Sequence, residues 1–385
     1  MKKVLVWETS SAVAGGQKMT LAIMDLLKEN YTFHCLIPQK GPLSQELEKR
    51  NIPYTLMGDQ SMPSGVKGKR VYVQYAWLSV KNILGSLMAI ARFHPDLLYA
   101  PGPASLPWSA VCGTLTGKPV IWHLHHLFDD GPTKKLLNFA CRWKAVKTII
   151  AISKVVGDQI TDPCGSQKVQ RIYNPVDAEK YASGDPENLP QELQERLANQ
   201  KDTLVLLETG VIRKIKRQDL FVRVVEALKN RKIPVVGVLV GDSITEDDRL
   251  YRETLLQQIR DAGLSEDIYL AGHRDNVQDY LAAADFLFVP GMEGLSLVAL
   301  EAMAARCDII ATQSGGVGEL LREAACGCMY PQDATPEQIA DLILKAGGDD
   351  RHGRIQNGYE FSRAHSPEAY GHSIAAAFTL GADRR

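Results

Sequence analysis

The chain reads as an α/β protein built from two doubly wound, parallel-sheet domains, and three observations carry that expectation. Its 385 residues exceed the roughly 250–300 that one hydrophobic core organises, so two domains are expected. Apolar β-branched runs alternate with longer amphipathic stretches, and this βαβα order occurs twice. The runs are apolar throughout instead of at every second position, as in strands covered on both faces of a parallel sheet.

Taken in order, "KKVLVWE", "FHCLIP", "PDLLYAP", "KPVIWHLHH", "TIIAIS" and "VQRIYN" read as strands of a first domain spanning 1–176. "TLVLLETG", "VVGVLVGD", "DIYLAGH", "DFLFVPG" and "CDIIATQ" read as strands of a second, spanning 203–362. Helical spacing is seen in "GQKMTLAIMDLLKEN", "LSQELEKRN", "QDLFVRVVEALKN" and "VQDYLAAAD". The polar stretch 177–202 has few strand formers and reads as the linker, and a helix in 363–385 is expected to return to the first domain.

Composition narrows the function classes. With 45% hydrophobic and 23% charged residues the chain is globular, without a low-complexity tract or a fixed-period repeat. No uninterrupted apolar run reaches the roughly 18 residues of a membrane span, and "MKKVLVWETS" lacks a cleavage site, so a cytoplasmic protein is expected. The seven cysteines are scattered and "CGC" has no second pair to complete a metal tetrahedron, which predicts buried free thiols. Residues 1–173 hold 21 of the 44 Lys+Arg and 11 of the 45 Asp+Glu, a balance of +10, leaving 23 and 34, or −11, for the remainder. Such asymmetry suggests an anionic partner for the first half, although solvated charge distributed by chance reads the same way. Nucleic acid is not that partner, because no recognisable module interleaves aromatics with the basic residues.

Ligands of doubly wound sheets bind at the carboxyl ends of the strands, so the loops there carry the chemistry. After the first strand, Gly15 and Gly16 precede a helix, where backbone N–H groups attract anions; a tight turn accounts for the pair equally well. In "IWHLHHLF", His123 and His125 share one face of a strand and His126 points away. Two imidazoles without a third ligand make a weak metal site and a better pair of neutral hydrogen-bonding groups. "GVIRKIKRQD" gathers Arg213, Lys214, Lys216 and Arg217 at a strand end within the acidic half, where a diphosphate would relieve their repulsion; a solvated basic turn is the alternative.

"PGMEGLSLVALEAM" passes from loop to helix: Gly291 and Gly294 permit a close turn, Ser296 is placed to cap, and Leu297 to Met303 supply an apolar face. The N–H groups of Gly294, Leu295 and Ser296 would hold a phosphate. Glu293 and Glu301 repel phosphate but accept hydrogen bonds from hydroxyls, which a sugar and a ribose supply.

With these residues in view, the chain resembles the retaining nucleotide-sugar glycosyltransferases of family 4. The resemblance runs through "GGQKMTLAI", "GPLSQELEKRNIPY", "VIWHLHHLF", "IIAISKVVGDQI" and "IYNPVD". It is most specific in "AGHRDNVQDYLAAADFLFVP", in the two glutamates seven residues apart in "EGLSLVALE", and in "ATQSGGVGELL". It implies the GT-B fold, two Rossmann-like domains facing each other across a cleft, with the acceptor on the first and the nucleotide sugar on the second. It implies transfer to an acceptor hydroxyl with retention, and no required metal or cofactor.

Carried over by position, Glu293 would bind the donor sugar, Glu301 the ribose, and Lys216 the diphosphate leaving group. His125 falls at the histidine near the reacting face of the donor, Gly16 lies in the glycine loop, and Arg274 lies in "GHRDN" near the base. The family arginine five residues before the lysine is Val211 here, and Arg213 is the candidate replacement. Arg306 and Asp308 stand where the family usually has Gly and Pro, so that turn must be built differently. No carboxylate is placed as a glycosidase-like nucleophile; the resemblance implies same-face attack, with the donor phosphate taking the acceptor proton.

A basic stretch at 131–150, with Lys134, Lys135, Arg142, Lys144 and Lys147 among Leu136, Leu137, Phe139, Trp143 and Val146, reads either as an interfacial helix or as one packed on the sheet. With "GVKGKR" at 65–70 it suggests peripheral contact with an anionic membrane and a lipid-linked oligosaccharide acceptor, as in bacterial surface polysaccharide assembly. The resemblance favours a UDP-sugar over a GDP-sugar as donor. Rival readings are a nucleotide-sugar 2-epimerase of the same fold, and a binding subunit of a larger synthase, for which Val211 is the motive.

Overall fold

In a parallel sheet the central strands are sheltered by helices on both faces, and Val4 to Trp7, Leu97 to Ala100, and Phe286 to Val289 are buried without a break. The computed structural model describes residues 1–58, 69–128, 131–198, 202–348 and 350–383. It divides into two units, Met1–Asn174 with Glu368–Arg385, and Pro175–Pro367.

In the first unit, β1 (Lys2–Trp7), β2 (Tyr31–Ile37), β3 (Tyr54–Leu56), β4 (Leu97–Ala100), β5 (Val120–Leu124), β6 (Val146–Ala151) and β7 (Val169–Arg171) form a parallel sheet ordered β3-β2-β1-β4-β5-β6-β7. Val4 on β1 registers with Phe33 on β2 and with Leu97 on β4. In the second unit, β8 (Leu204–Thr209), β9 (Val235–Val240), β10 (Ile268–Gly272), β11 (Phe286–Val289), β12 (Asp308–Thr312) and β13 (Cys328–Tyr330) are parallel in the order β10-β9-β8-β11-β12-β13. Each order reverses at the unit's first strand, which opens a crevice at the carboxyl end of β1 and β4 and of β8 and β11.

Each unit has its own core. Around β8 and β11, Phe221, Phe286 and Phe288 are almost fully buried, and Phe288 stacks on Tyr330 at 5.8 Å. In the first unit the core of β1, β2 and β4 is completed by Tyr370, Ile374, Ala377 and Phe378 from the last helix, Pro367–Asp383. Burying a large apolar side chain contributes about 1.5–3 kcal/mol, so that helix is an integral part of the unit.

Several expectations are corrected. The stretch 177–202 is no bare linker where it is described. It forms the helices Ala178–Ala182 and Gln191–Ala198, buries Leu189 and Leu193, and ties the Asp185 amide to Asp279 Oδ1 at 2.9 Å. The basic stretch 131–150 is helical only over Gly131–Ala140; Trp143 lies in a turn and Val146 is buried in β6. Of "GVKGKR", residues 65–68 lie outside the described residues, and 69–70 open the helix Lys69–Phe93. Among the cysteines, Cys164 is exposed and Cys328 half-buried, while Cys35, Cys112, Cys141, Cys307 and Cys326 are buried free thiols as expected.

The turn with Arg306 and Asp308 is indeed built differently. Arg306 adopts a left-handed φ of 57° and lays its guanidinium over Tyr359 at 4.0 Å. Buried Asp308 pairs with Arg354 at 2.7 Å.

Candidate active site at the carboxyl end of the second sheet

Lys216 and Glu293 come from loops on adjacent strands, the first following β8 and the second following β11, and their side chains meet in an ion pair. Both are about one-quarter exposed, 25% and 23%, so the pair is screened only in part and remains within reach of a ligand. Gly291 permits this approach: a Cβ there would stand 2.9 Å from Ile215 O and 3.0 Å from Lys216 Cα. The first turn of the helix Gly315–Ala324, which follows β12, locks the arrangement. The Gly316 amide donates to Glu293 O at 2.8 Å, and Gly316 lies so close to Gly294 O that a side chain would collide with the backbone.

Gly294, Leu295 and Ser296 lead into the helix Leu297–Ala304, whose first-turn N–H groups point toward the crevice end of the sheet. Ser296 occupies the N-cap position, but its hydroxyl makes no cap bond and is buried without a partner among the described residues, which corrects the capping expectation. Leu295 is buried, so its backbone is the part available to a ligand. Glu301 accepts a hydrogen bond from the Tyr181 hydroxyl at 2.7 Å; burial first, then the charge and hydrogen bond of Glu301, hold that phenol well above its ordinary range.

Arg213 is not a free cation. Its Nε and Nη2 donate to the two oxygens of Asp248 at 2.8 and 2.7 Å, and Asp248 is held well below the usual carboxylate range chiefly by that pairing. Arg274 is exposed in the turn after β10, two strands from β8, and donates from Nε to Ala271 O at 3.0 Å.

In the first unit His125 stands just beyond β5, its ring 4.0 Å from that of His123. His123 is fully buried and shares a 2.6 Å hydrogen bond with the Tyr99 hydroxyl through Nδ1. Burial lowers both imidazoles, His123 to about 3, so both are neutral near pH 7. Gly16 is in the first turn of the helix Gly15–Leu27, with open space around it.

That turn is anchored by Glu8 at the end of β1, a buried carboxyl raised by desolvation, which accepts from Gln17 at 2.9 Å and from the Thr20 hydroxyl. Glu208 is its counterpart in the second sheet, buried near the end of β8 and likewise raised. Sequence reasoning passed over Glu8, Glu208 and Tyr181. The signals were there: a Glu-Thr pair ends each unit's first apolar run, and Tyr181 is the lone aromatic of a polar stretch. Among the described residues, no three His, Cys, Asp or Glu side chains are grouped to hold a metal.

Two family models match this chain: glycosyltransferase family 4 over residues 15–180 and glycosyl transferases group 1 over residues 203–349. The chain belongs to the family 4 glycosyltransferases. This family 4 chain is 28% identical over 192 residues to lipopolysaccharide 1,2-N-acetylglucosaminetransferase of Salmonella typhimurium, covering 48% of this chain and 49% of that protein. It is 22% identical over 351 residues, 86% of this chain and 84% of the other, to the Escherichia coli UDP-Gal:alpha-D-GlcNAc-diphosphoundecaprenol alpha-1,3-galactosyltransferase. The chain spans about half the length of the curated relatives it matches at 27% and 28% identity. The structure of Anabaena HepE in complex with UDP superposes with a TM-score of 0.79 at 20% identity over 98% of this chain and 100% of that one, which establishes the GT-B fold.

Proposed function

We propose that this chain is a retaining hexosyltransferase that moves a sugar from a UDP-linked donor to a hydroxyl of a glycan or lipid-linked glycan, in bacterial surface polysaccharide assembly at the cytoplasmic face of the membrane. The observation that carries the reading is the Lys216–Glu293 pair joining the loops after β8 and β11 at the switch point of the second sheet. A donor replaces that pair with two better matched ones: the diphosphate takes the lysine, and the sugar hydroxyls donate to the freed carboxylate. The N–H groups of Gly294 to Ser296 take phosphate oxygens, and Glu301 exchanges Tyr181 for a ribose hydroxyl.

The bond from the anomeric carbon to the donor phosphate breaks as the acceptor oxygen bonds to the same face, and the acceptor proton passes to the departing phosphate. Lys216 stabilises the charge that develops on the leaving group, and no metal is needed for this. His125, neutral, supplies a hydrogen bond without adding a positive charge. Arg213 keeps Asp248 and acts on the diphosphate only through the N–H donors left on Nη1 and Nη2. The UDP preference is supported by the name of the Escherichia coli relative, and the lipid-linked acceptor by both relatives.

Thermal denaturation against UDP, GDP and their sugars tests the donor. A ligand that binds only the folded protein raises the midpoint with its concentration, so UDP is expected to shift the wild type and to lose most of that shift in Lys216→Ala. Turnover in Lys216→Ala is expected to fall by about 10²–10³. No shift with any nucleotide sinks the reading. Conversion of the donor sugar to its 2-epimer without acceptor would hand the site to an epimerase.

A further inference from the structure

The helix Lys69–Phe93 carries Val73, Trp77, Val80, Leu84 and Met88 at spacings of three and four, so they fall in one stripe. All five are exposed, at 71%, 69%, 58%, 58% and 70%. From Val73 to Met88 the stripe runs about 22 Å at 1.5 Å per residue. The opposite face is docked: Tyr75, Asn82, Ser86 and Ile90 are buried, the Tyr75 hydroxyl donates to Ala104 O at 2.7 Å, and Ser86 accepts from Trp7 Nε1 at 2.8 Å. The stripe therefore faces away from the unit that holds the helix.

Charge says what covers it. The 25-residue helix contains no Asp or Glu, and Arg70, Lys81 and Arg92 are exposed along one edge of the stripe. The first 173 residues, with 21 basic and 11 acidic side chains, share that sign. A second copy of the chain would bring two rims of like charge together. A single convex helix offers no groove for a peptide but suits a plane, and an apolar stripe with a tryptophan and a cationic edge is the pattern of a helix lying in a lipid interface. The Gly131–Ala140 helix, by contrast, exposes only Phe139 among its large apolar side chains.

We propose that the helix Lys69–Phe93 docks this protein on an anionic lipid bilayer, with Val73, Trp77, Val80, Leu84 and Met88 in the interface and Arg70, Lys81 and Arg92 on the headgroups. Its purpose, bringing the enzyme to a lipid-linked acceptor, rests on the function proposed above; the contact itself is measured without turnover. Wild-type protein is sedimented with vesicles of phosphatidylglycerol in phosphatidylcholine, and with phosphatidylcholine alone, at low and high salt, beside Trp77→Ser/Leu84→Ser and Lys81→Glu. Binding to the anionic vesicles that weakens with salt and falls about tenfold or more in each variant is expected, with a blue shift of tryptophan emission only in proteins that bind.

An unchanged urea midpoint by tryptophan emission, which four tryptophans of the same unit still report after Trp77→Ser, shows that the variants are folded. Absence of wild-type binding at low salt overturns the proposal, as does binding that the apolar variant leaves unchanged. So does a wild-type dimer that Trp77→Ser/Leu84→Ser turns into monomer, which would give the stripe to a second copy. If vesicle binding holds while UDP shifts no midpoint, the donor assignment falls and the docking helix stands.

Discussion

His123 shows how a residue can be chemically prominent and still serve structure. Fully buried on β5 and bonded to Tyr99, it is pulled from 6.5 to about 3 by desolvation, so the folded protein holds it neutral where the unfolded chain would protonate it. The stabilisation is complete above pH 6.5 and is lost as the pH falls from 6.5 toward about 3. The slope is at most about 1.4 kcal/mol per pH unit. Urea denaturation of the wild type is therefore expected to lose midpoint steadily below pH 6.5, and His123→Gln, which cannot titrate, to lose less over the same interval. Identical slopes in the two proteins would show that another group governs the acid limb. His125, tilted against it at 4.0 Å and also lowered, is the imidazole of the pair that stands beyond the strand end, and the family resemblance had marked it for that position.

Elements place the candidate site through backbone contact as much as through side chains. In Gly316→Ala the new methyl group would meet Gly294 O and approach Leu295 Cα at 2.9 Å, so a backbone loop must move. The expected cost is about 1–3 kcal/mol, and the larger effect is loss of the UDP-induced thermal shift as the Gly294–Ser296 segment is displaced. Gly16→Ala, with open space around its position, is expected to leave the fold intact within about 1 kcal/mol and serves as the control in the same melts. The eleven apolar runs in the sequence all became strands; for the central ones continuous burial leaves a signal that local reading captures, while β7, a three-residue edge strand, has no buried residue.

The strands that reading left out, β3 and β13, have three residues each and lie at sheet edges, too short for any period to show. The helix Lys69–Phe93 escaped for a different reason: with an apolar stripe facing away and a second set of apolar residues facing inward, its polarity does not sort into two faces. At the site, Lys216, Glu293 and the glycines were legible from their place after apolar runs. The commitment of Arg213 to Asp248 was not, since it depends on a helix 35 positions away in the chain.

At the scale of the whole molecule the chain is not divided as its sequence order suggests, because its last helix belongs to the core of the unit that holds its beginning. Phe378 is fully buried there, edge-on to Tyr31 at 5.6 Å and against Tyr99 at 5.2 Å, so it ties the chain's end to β2 and β4. Phe378→Ala is expected to cost about 3–5 kcal/mol through lost burial and the cavity left behind. The tryptophans allow that loss to be assigned to one unit: all five, Trp7, Trp77, Trp108, Trp122 and Trp143, lie within Met1–Asn174. Urea unfolding followed by tryptophan emission therefore reports on the first unit, while the thermal shift expected with UDP under the proposed function reports on the second. Phe378→Ala should lower the fluorescence midpoint and leave the response to UDP in place. An unmoved fluorescence midpoint would mean that the helix contributes nothing to the stability of the first unit. A lost UDP response would mean that the second unit cannot hold its nucleotide when the first is weakened, and the two would have to be treated as one folding unit.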